Sequence, residues 1–395
     1  MSQPYYNEYP TSPTDQPTPG LAHFLGDKCV TSIKTKLKLT SSQKILMSKH
    51  AGISRFTYNW GLATWKALYE SGYQPNHLTL KKFFNNEVKP VLTWIKEKGI
   101  CQKITEFAFD NLGKAFKNFF QKRADYPKFK RKGRNESFTI NAGGKPINLG
   151  GKRIKLPTIG WVSTYESLPH TTTTKLTISK SAGDWYISCS YEISPEITKK
   201  EHEYVGVDVG IKTLATLSTG VIFFNPKAFK KAQKTLTRLQ RQLSRKVRGS
   251  HRYKKQKLRI SKLHRRIANI RKDATHKATT FICKNHAVVA LEDLNTSGML
   301  KNHRLAGAVS DANFYEFRRQ VEYKVIRYGG TVVFVDRFYP SSKTCSNCGE
   351  IREISLSERV YVCQKCQHTQ DRDLNASKNL QKYARMVKPC LDVKG

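Results

Sequence analysis

"YVGVDVGIKTLATLSTGVIFFN" (204–225) carries three β-strand signals in succession. An apolar run ends at Asp208, the chain turns at Gly210, and two more strands follow. A lone acid at a strand end is more often a cap or turn residue than a reactive group, so its meaning depends on what the chain sets beside it. Downstream, "HAVVALEDLNTSGML" (286–300) is a strand ending in Glu292, and "DANFYEFRRQVEYKVIRYG" (311–329) has helical spacing. "GTVVFVDRFYP" (330–340) is a further strand, and "DLNASKNLQKYAR" (373–385) a closing helix.

Three strands, a helical connection, a strand, a helix, a strand and a helix predict a mixed α/β sheet of RNase H-like order. The helical connection, 226–285, reads as two long helices broken near Gly249. Leu236, Leu239, Leu243 and Val247 line one apolar face, and Leu258, Leu263, Ile267 and Ile270 another. The remaining faces are almost wholly Lys and Arg, with Asp273 the single acid, which suits a phosphate backbone. Upstream, "CVTSIKTKLKLT" (29–40) alternates as a strand, 41–124 is patterned as helices opened by a Ser cap signal, and 125–200 holds short strands with Gly turns. The early strand is expected to join those later ones in a β-barrel, making the helices an insertion.

Composition narrows the partners. Lys plus Arg number 70 against 30 Asp plus Glu in 395 residues, a net charge of +40, and the pI is near 10.0. Nucleic acid is the polyanion that fits, and Lys beside Phe, Tyr and Trp in the helical block is the mixture that stacks bases and neutralises phosphates. Most of those aromatics are nevertheless expected in the core. A membrane partner is excluded, because no apolar run approaches transmembrane length. The start, rich in Pro, Thr and Tyr, has neither the basic nor the apolar segment of a secretory signal and reads as a disordered tail. Nine cysteines, an odd number with five of them scattered, and no such signal point to a reducing cytoplasm rather than a disulfide framework.

Four of those cysteines are not dispersed. Cys345 and Cys348, then Cys363 and Cys366, make two CxxC pairs with fourteen residues between them. Each pair forms one tight knuckle, and four thiolates close a tetrahedral Zn²⁺ site, so this metal is structural and His368 is not needed. Catalysis then falls to acids. Asp208 and Glu292 end strands, and Asp371 and Asp373 open the last helix. Carboxylates converging inside so positive a chain would hold two Mg²⁺ ions, which favour oxygen ligands and leave room for water and phosphate. Asp373 shares a helical face with Ala376, Ser377 and Leu380, so it points inward, while Asp371 is placed to cap the helix. The zinc knuckle braces the loop that positions these acids.

The segments "GVDVGIKTLATLSTG", "ALEDLNTSGMLKNHRLAGAVSDANFYEFRRQVEYK", "FYPSSKTCSNCG" and "CQKCQHTQDRDLNAS" resemble the RuvC-type nuclease core of transposon-encoded TnpB proteins, relatives of type V CRISPR effectors; the match runs over 204–380. The resemblance implies an RNA-guided DNA endonuclease. In the family, a guide RNA from the transposon end pairs with one DNA strand after a short flanking motif is recognised, and one RuvC-like site cuts both strands. Its three acids map onto Asp208, Glu292 and Asp373. It also implies an organisation of seven parts: a tail (1–26), a first wedge segment (27–40), a helical recognition domain (41–124), the rest of the β-barrel wedge (125–200), the nuclease domain (201–343) with the basic hairpin 226–285, a zinc ribbon (344–367), and the nuclease end with a C-terminal tail (368–395). One protein per guide RNA, in a prokaryotic cytoplasm and on the nucleoid when DNA-bound, completes the expectation. The helical block shows no signature for the residues that read the flanking motif; Tyr58, Asn59, Lys81 and Lys82 would be guesses. Competing readings are an RNA-guided repressor that does not cut, a CRISPR-guided effector, and a strand-joining transposase. The Pro-rich tail departs from the family pattern.

Overall fold

The computed structural model describes residues 29–355 and 357–387, so the tail expected at 1–26 lies outside the described residues. The chain divides into two compact units, one made of Val30–Ile193 with Lys227–Lys272, the other built mainly from Ser194–Pro226 and the chain from Asp273 onward.

The first unit begins with β1 (Cys29–Lys38) and then a 30-residue helix, α1 (Ser41–Glu70). Its N-cap is Thr40 rather than a serine. The Thr40 side chain accepts from the Gln43 N–H and the Gln43 side chain returns to the Thr40 N–H, a reciprocal capping box. The helical block continues through α2 (His77–Phe83), a π turn at Phe84–Val88, the short α3 (Lys89–Val91) and α4 (Ile104–Phe120). The strands β2 (Ser137–Asn141), β3 (Ile147–Leu156), β4 (Gly160–Thr173), β5 (Lys175–Ser181) and β6 (Asp184–Ile193) follow. They join β1 in one six-stranded sheet of order β2-β5-β6-β1-β4-β3. The helices are therefore inserted between two strands of one sheet. This sheet is an open half-barrel, with β2 and β3 at its edges, rather than a closed barrel. One core unites helices and sheet. It buries Tyr58, Trp65, Phe84, Phe109 and Phe116, whereas Tyr69, Tyr73, Phe83, Trp94 and Phe120 of the helical block are exposed, so fewer of its aromatics are core than expected.

The basic hairpin is α5 (Ala228–Ser244) and α6 (His251–Asn285), parted at Gly249, whose φ of +87° suits glycine. Its apolar stripes are only partly covered: Leu236 and Ile267 are buried, whereas Val247, beyond the end of α5, and Ile270 are exposed.

The second unit holds a five-stranded sheet of order β11-β10-β7-β8-β9. Its strands are β7 (His202–Asp208), β8 (Thr213–Leu217), β9 (Ile222–Phe224), β10 (His286–Glu292) and β11 (Thr331–Val335). β10 runs parallel to β7 and β11, while β8 is antiparallel to β7 and β9. The connection after β10 is α7 (Thr296–Lys301), α8 (Ala306–Ala312) and α9 (Phe314–Arg327). The helix expected over 311–329 breaks at Asn313, whose φ of +58° ends one helix and starts the next. A hairpin of β12 (Val360–Val362) and β13 (Thr369–Asp371) leads directly into α10 (Arg372–Val387).

α10 lies on β7 at backbone contact. A Cβ at Gly206 would fall 1.8 Å from the Ser377 carbonyl oxygen and 2.5 Å from the Gln381 nitrogen. Gln381 adds a bond from its side-chain amide to the Tyr204 carbonyl of the same strand, at 2.8 Å. Gly206→Ala should therefore lower stability by at least about 3 kcal/mol, since the clash is with backbone that cannot rotate away. The thermal unfolding midpoint measures it, and an unchanged midpoint would contradict this seating.

Candidate active site

The first two acids leave adjacent strands side by side. Val207 of β7 pairs with Leu291 of β10 in parallel register, so Asp208 and Glu292 come next at the same sheet end. The third acid arrives from α10. Asp371, the last residue of β13, accepts the N–H groups of Asp373 (2.9 Å) and Leu374 (3.1 Å) through Oδ1. It is thus the cap that the sequence led us to expect. Asp373 stands in the first turn, and Ala376, Ser377 and Leu380 of its face are buried.

Partners fix two of the carboxylates. Thr213 Oγ1 of β8 donates to Asp373 Oδ2 at 3.4 Å, and the Arg372 guanidinium lies 3.5 Å from Asp373 Oδ1. Ser341 Oγ donates to Glu292 Oε1. Asp293, the next acid along, is committed elsewhere: it pairs with Arg318 and, at 2.8 Å, with Arg337. Burial works against its charge, yet those two guanidinium groups hold its carboxyl below the usual range. Asp208 is the opposite case. Burial, then the Glu292 and Asp373 carboxylates, push its pKa well above the ordinary value, with Arg372 opposing. Glu292 and Asp373 therefore both act electrostatically on Asp208. Oxygen donors from few side chains are the set a hard divalent cation takes.

The four cysteines gather more tightly. Their sulfur atoms all lie within 4.8 Å of one another, with Cys345–Cys366 at 3.7 Å and Cys348–Cys363 at 3.5 Å. A tetrahedral Zn²⁺ with Zn–S near 2.3 Å requires sulfurs about 3.8 Å apart, so the set fits a structural zinc ion. The two knuckles repeat one geometry. The Gly349 N–H donates to the Cys345 carbonyl and the Gln367 N–H to that of Cys363. Both Gly349 (φ +81°) and Gln367 (φ +57°) are left-handed. The His368 N–H and the Asn347 side chain hold the Cys366 thiol down at about 6, favouring thiolate. Tyr361 fills the small core beneath Cys345 and Cys363.

Sequence reasoning missed Thr213, Ser341 and two buried amides of α10, Asn375 and Asn379. The amides recur four residues apart, but they lie off the Asp373–Ala376–Ser377–Leu380 face expected to point inward, so helical spacing did not mark them. In the helical block, Tyr58 is buried beneath the Lys130 ammonium, 4.0 Å from its ring centroid. Asn59 exchanges two hydrogen bonds with the Lys130 backbone.

Comparison with known proteins assigns the lineage. Family models match residues 188–303 ("Probable transposase"), 314–380 ("Cas12f1-like, TNB domain") and 30–74 ("Helix-turn-helix domain"). The "Putative RNA-guided DNA endonuclease InsQ" of Escherichia coli (strain K12) is 36% identical over 387 residues, covering 92% of this chain and 94% of that protein. The "TnpB-like protein L79" of Acanthamoeba polyphaga mimivirus is 32% identical over 140 residues, 34% of this chain and 26% of that protein. The chain belongs to the TnpB family. Its fold is similar to the chain in a cryo-EM structure of a Cas12f1–sgRNA–target DNA complex, at a TM-score of 0.55 and 13% identity. That match covers 90% of this chain and 99% of the other. Among the described residues, no helix is long and apolar enough to cross a membrane.

Two outcomes follow for the family member in hand. Because the folded pKa of Asp208 lies above its unfolded value, the folded state binds more protons, and stability falls as pH rises from about 4 through the raised pKa. At neutral pH without divalent cations, Asp208→Asn should then melt a few degrees above the unsubstituted protein, and Mn²⁺ should raise the midpoint of the unsubstituted protein but not of the variant. Cys363→Ser should lose bound zinc, measured by atomic emission, and expose 344–371 to hydrogen exchange.

Proposed function

We propose that this chain is an RNA-guided DNA endonuclease that hydrolyses phosphodiester bonds of double-stranded DNA at one RuvC-like site. The reading is supported by the parallel register that sets Glu292 beside Asp208, and by the influence of both Glu292 and Asp373 on the Asp208 carboxyl. The β9-β8-β7-β10-β11 order, with β8 antiparallel and β10 parallel to β7, supports an RNase H-like reading of the second unit. On this reading the half-barrel with its helical insertion is the wedge and recognition module, and the four-cysteine segment is a zinc ribbon within the nuclease domain. Relatives named as RNA-guided DNA endonucleases, and a fold shared with a guide-RNA and target-DNA complex, support the two nucleic-acid partners. A net charge of +40 supplies the attraction for both.

Each group has a task. Asp208 and Glu292 offer carboxylate oxygens from the sheet edge, and Asp373 closes the set from α10. Mg²⁺ suits these oxygens, and when bound it supplies water activation and stabilisation of the departing 3′ oxygen. Thr213 and Ser341 hold two of the acids in orientation. The basic hairpin α5–α6 offers a rail to a phosphate backbone. The guide derives from the transposon end, and one protein acts per guide RNA in the cytoplasm, on the nucleoid when bound to DNA.

The test is a purified ribonucleoprotein carrying its co-purified RNA, given a plasmid library with a matched target beside randomised flanks. Linear product that requires Mg²⁺ is expected. Asp208→Ala should reduce cutting by about a hundredfold or more while leaving RNA-dependent DNA binding intact. Binding without cutting by the unsubstituted protein would overturn the endonuclease reading.

A further inference from the structure

We propose that Ser341 is a positioning residue that orients Glu292, and that a pair of buried amides on α10 holds it there. The inference rests on the reading of Glu292 as a metal-holding acid.

Ser341 is 4% exposed, and its hydroxyl donates to Glu292 Oε1. A glutamate at a strand end has three side-chain torsions to fix, and ordering them costs rotamer entropy. A buried donor on one oxygen selects a rotamer beforehand and leaves the second oxygen for another partner. Seryl hydroxyls rotate, so the bond has directional value only if the Ser341 backbone is itself fixed.

It is fixed from α10. The Asn379 side-chain amide donates to the Ser341 carbonyl at 2.8 Å and to the Thr344 carbonyl at 2.6 Å. One turn earlier, the Asn375 amide donates to that same Thr344 oxygen at 2.7 Å, and its Oδ1 accepts the Ser346 N–H at 2.8 Å. Both asparagines are essentially buried, at 0% and 2% exposure. Lys382 adds a bond to the Ser346 carbonyl. Segment 341–346 is therefore laid along α10, with Ser341 at one end and Cys345 at the other.

One helix in this way sets two of the three acids. Asp373 belongs to α10, and Glu292 is referred to it through Ser341 and Asn379. Because Thr344 and Ser346 flank Cys345, the four-cysteine site and the carboxylate site share this strap. A serine that only satisfied its own burial would serve as well bonded to a backbone carbonyl. Here its hydroxyl is given to a carboxylate that must hold one geometry.

Ser341→Ala and Ser341→Thr complexes, assembled with guide RNA, test the assignment. For each, single-turnover cleavage is followed against Mg²⁺ concentration, and Mn²⁺ binding is titrated by electron paramagnetic resonance in uncleavable DNA complexes. Zinc content and DNA affinity are measured alongside. Ser341→Ala should need about tenfold more Mg²⁺ for half-maximal rate and bind Mn²⁺ about tenfold more weakly, with zinc and DNA affinity unchanged; Ser341→Thr should restore most of both. Unaltered metal dependence in Ser341→Ala would overturn the proposal, and so would loss of zinc or DNA affinity in step with the rate, which marks a merely structural serine. If the unsubstituted complex binds DNA and Mn²⁺ but never cuts, the endonuclease reading fails, while the Mn²⁺ titration still decides the role of Ser341.

Discussion

A helix rests against a strand with no room for a side chain between them. Gly206 faces the backbone of α10 so closely that even a methyl group would strike the Ser377 carbonyl. Gly206 precedes Asp208 by two residues, and Ser377 follows Asp373 by four, so one backbone contact registers both acids. A larger residue at Gly206 would lift α10 and part them. The close approach costs the strand a side chain and gives the site its dimensions.

Around that contact, elements far apart in sequence converge for separate physical reasons. Parallel pairing of β7 with β10 fixes Glu292 beside Asp208. The β12–β13 hairpin carries the second cysteine knuckle and ends in Asp371, whose carboxylate caps α10. Asparagines of α10 hold the strap that leads to the first knuckle. The price of the arrangement is electrostatic: neighbouring acids repel one another, and Asp208 bears the clearest mark of it. In a chain of net charge +40, that small negative centre is where a cation and a phosphate can be brought together.

Much of this was legible in the residues. Alternation and helical spacing located β7, β10, β11 and α10, because long periodic runs carry their own signal. The facing of Asp373 and the capping by Asp371 followed from 3.6-residue periodicity alone. Paired CxxC spacing located a metal-sized cluster, because a knuckle is a local structure. What stayed hidden depended on tertiary contact. Nothing local marks Ser341 as the partner of Glu292, forty-nine residues away. The break at Asn313 follows from a left-handed backbone that asparagine tolerates but does not announce. The apolar Val247 and Ile270 looked like interior and are exposed, since spacing tells which residues share a face and not whether that face is covered.

The account stands on three carboxylates acting through shared divalent cations. Anomalous diffraction from crystals of the guide–target complex soaked in Mn²⁺ tests this most directly. The prediction is manganese density coordinated by Asp208, Glu292 and Asp373 next to the DNA backbone. Manganese at full occupancy elsewhere, with these three side chains uncoordinated in a complex that still cuts DNA, would contradict it.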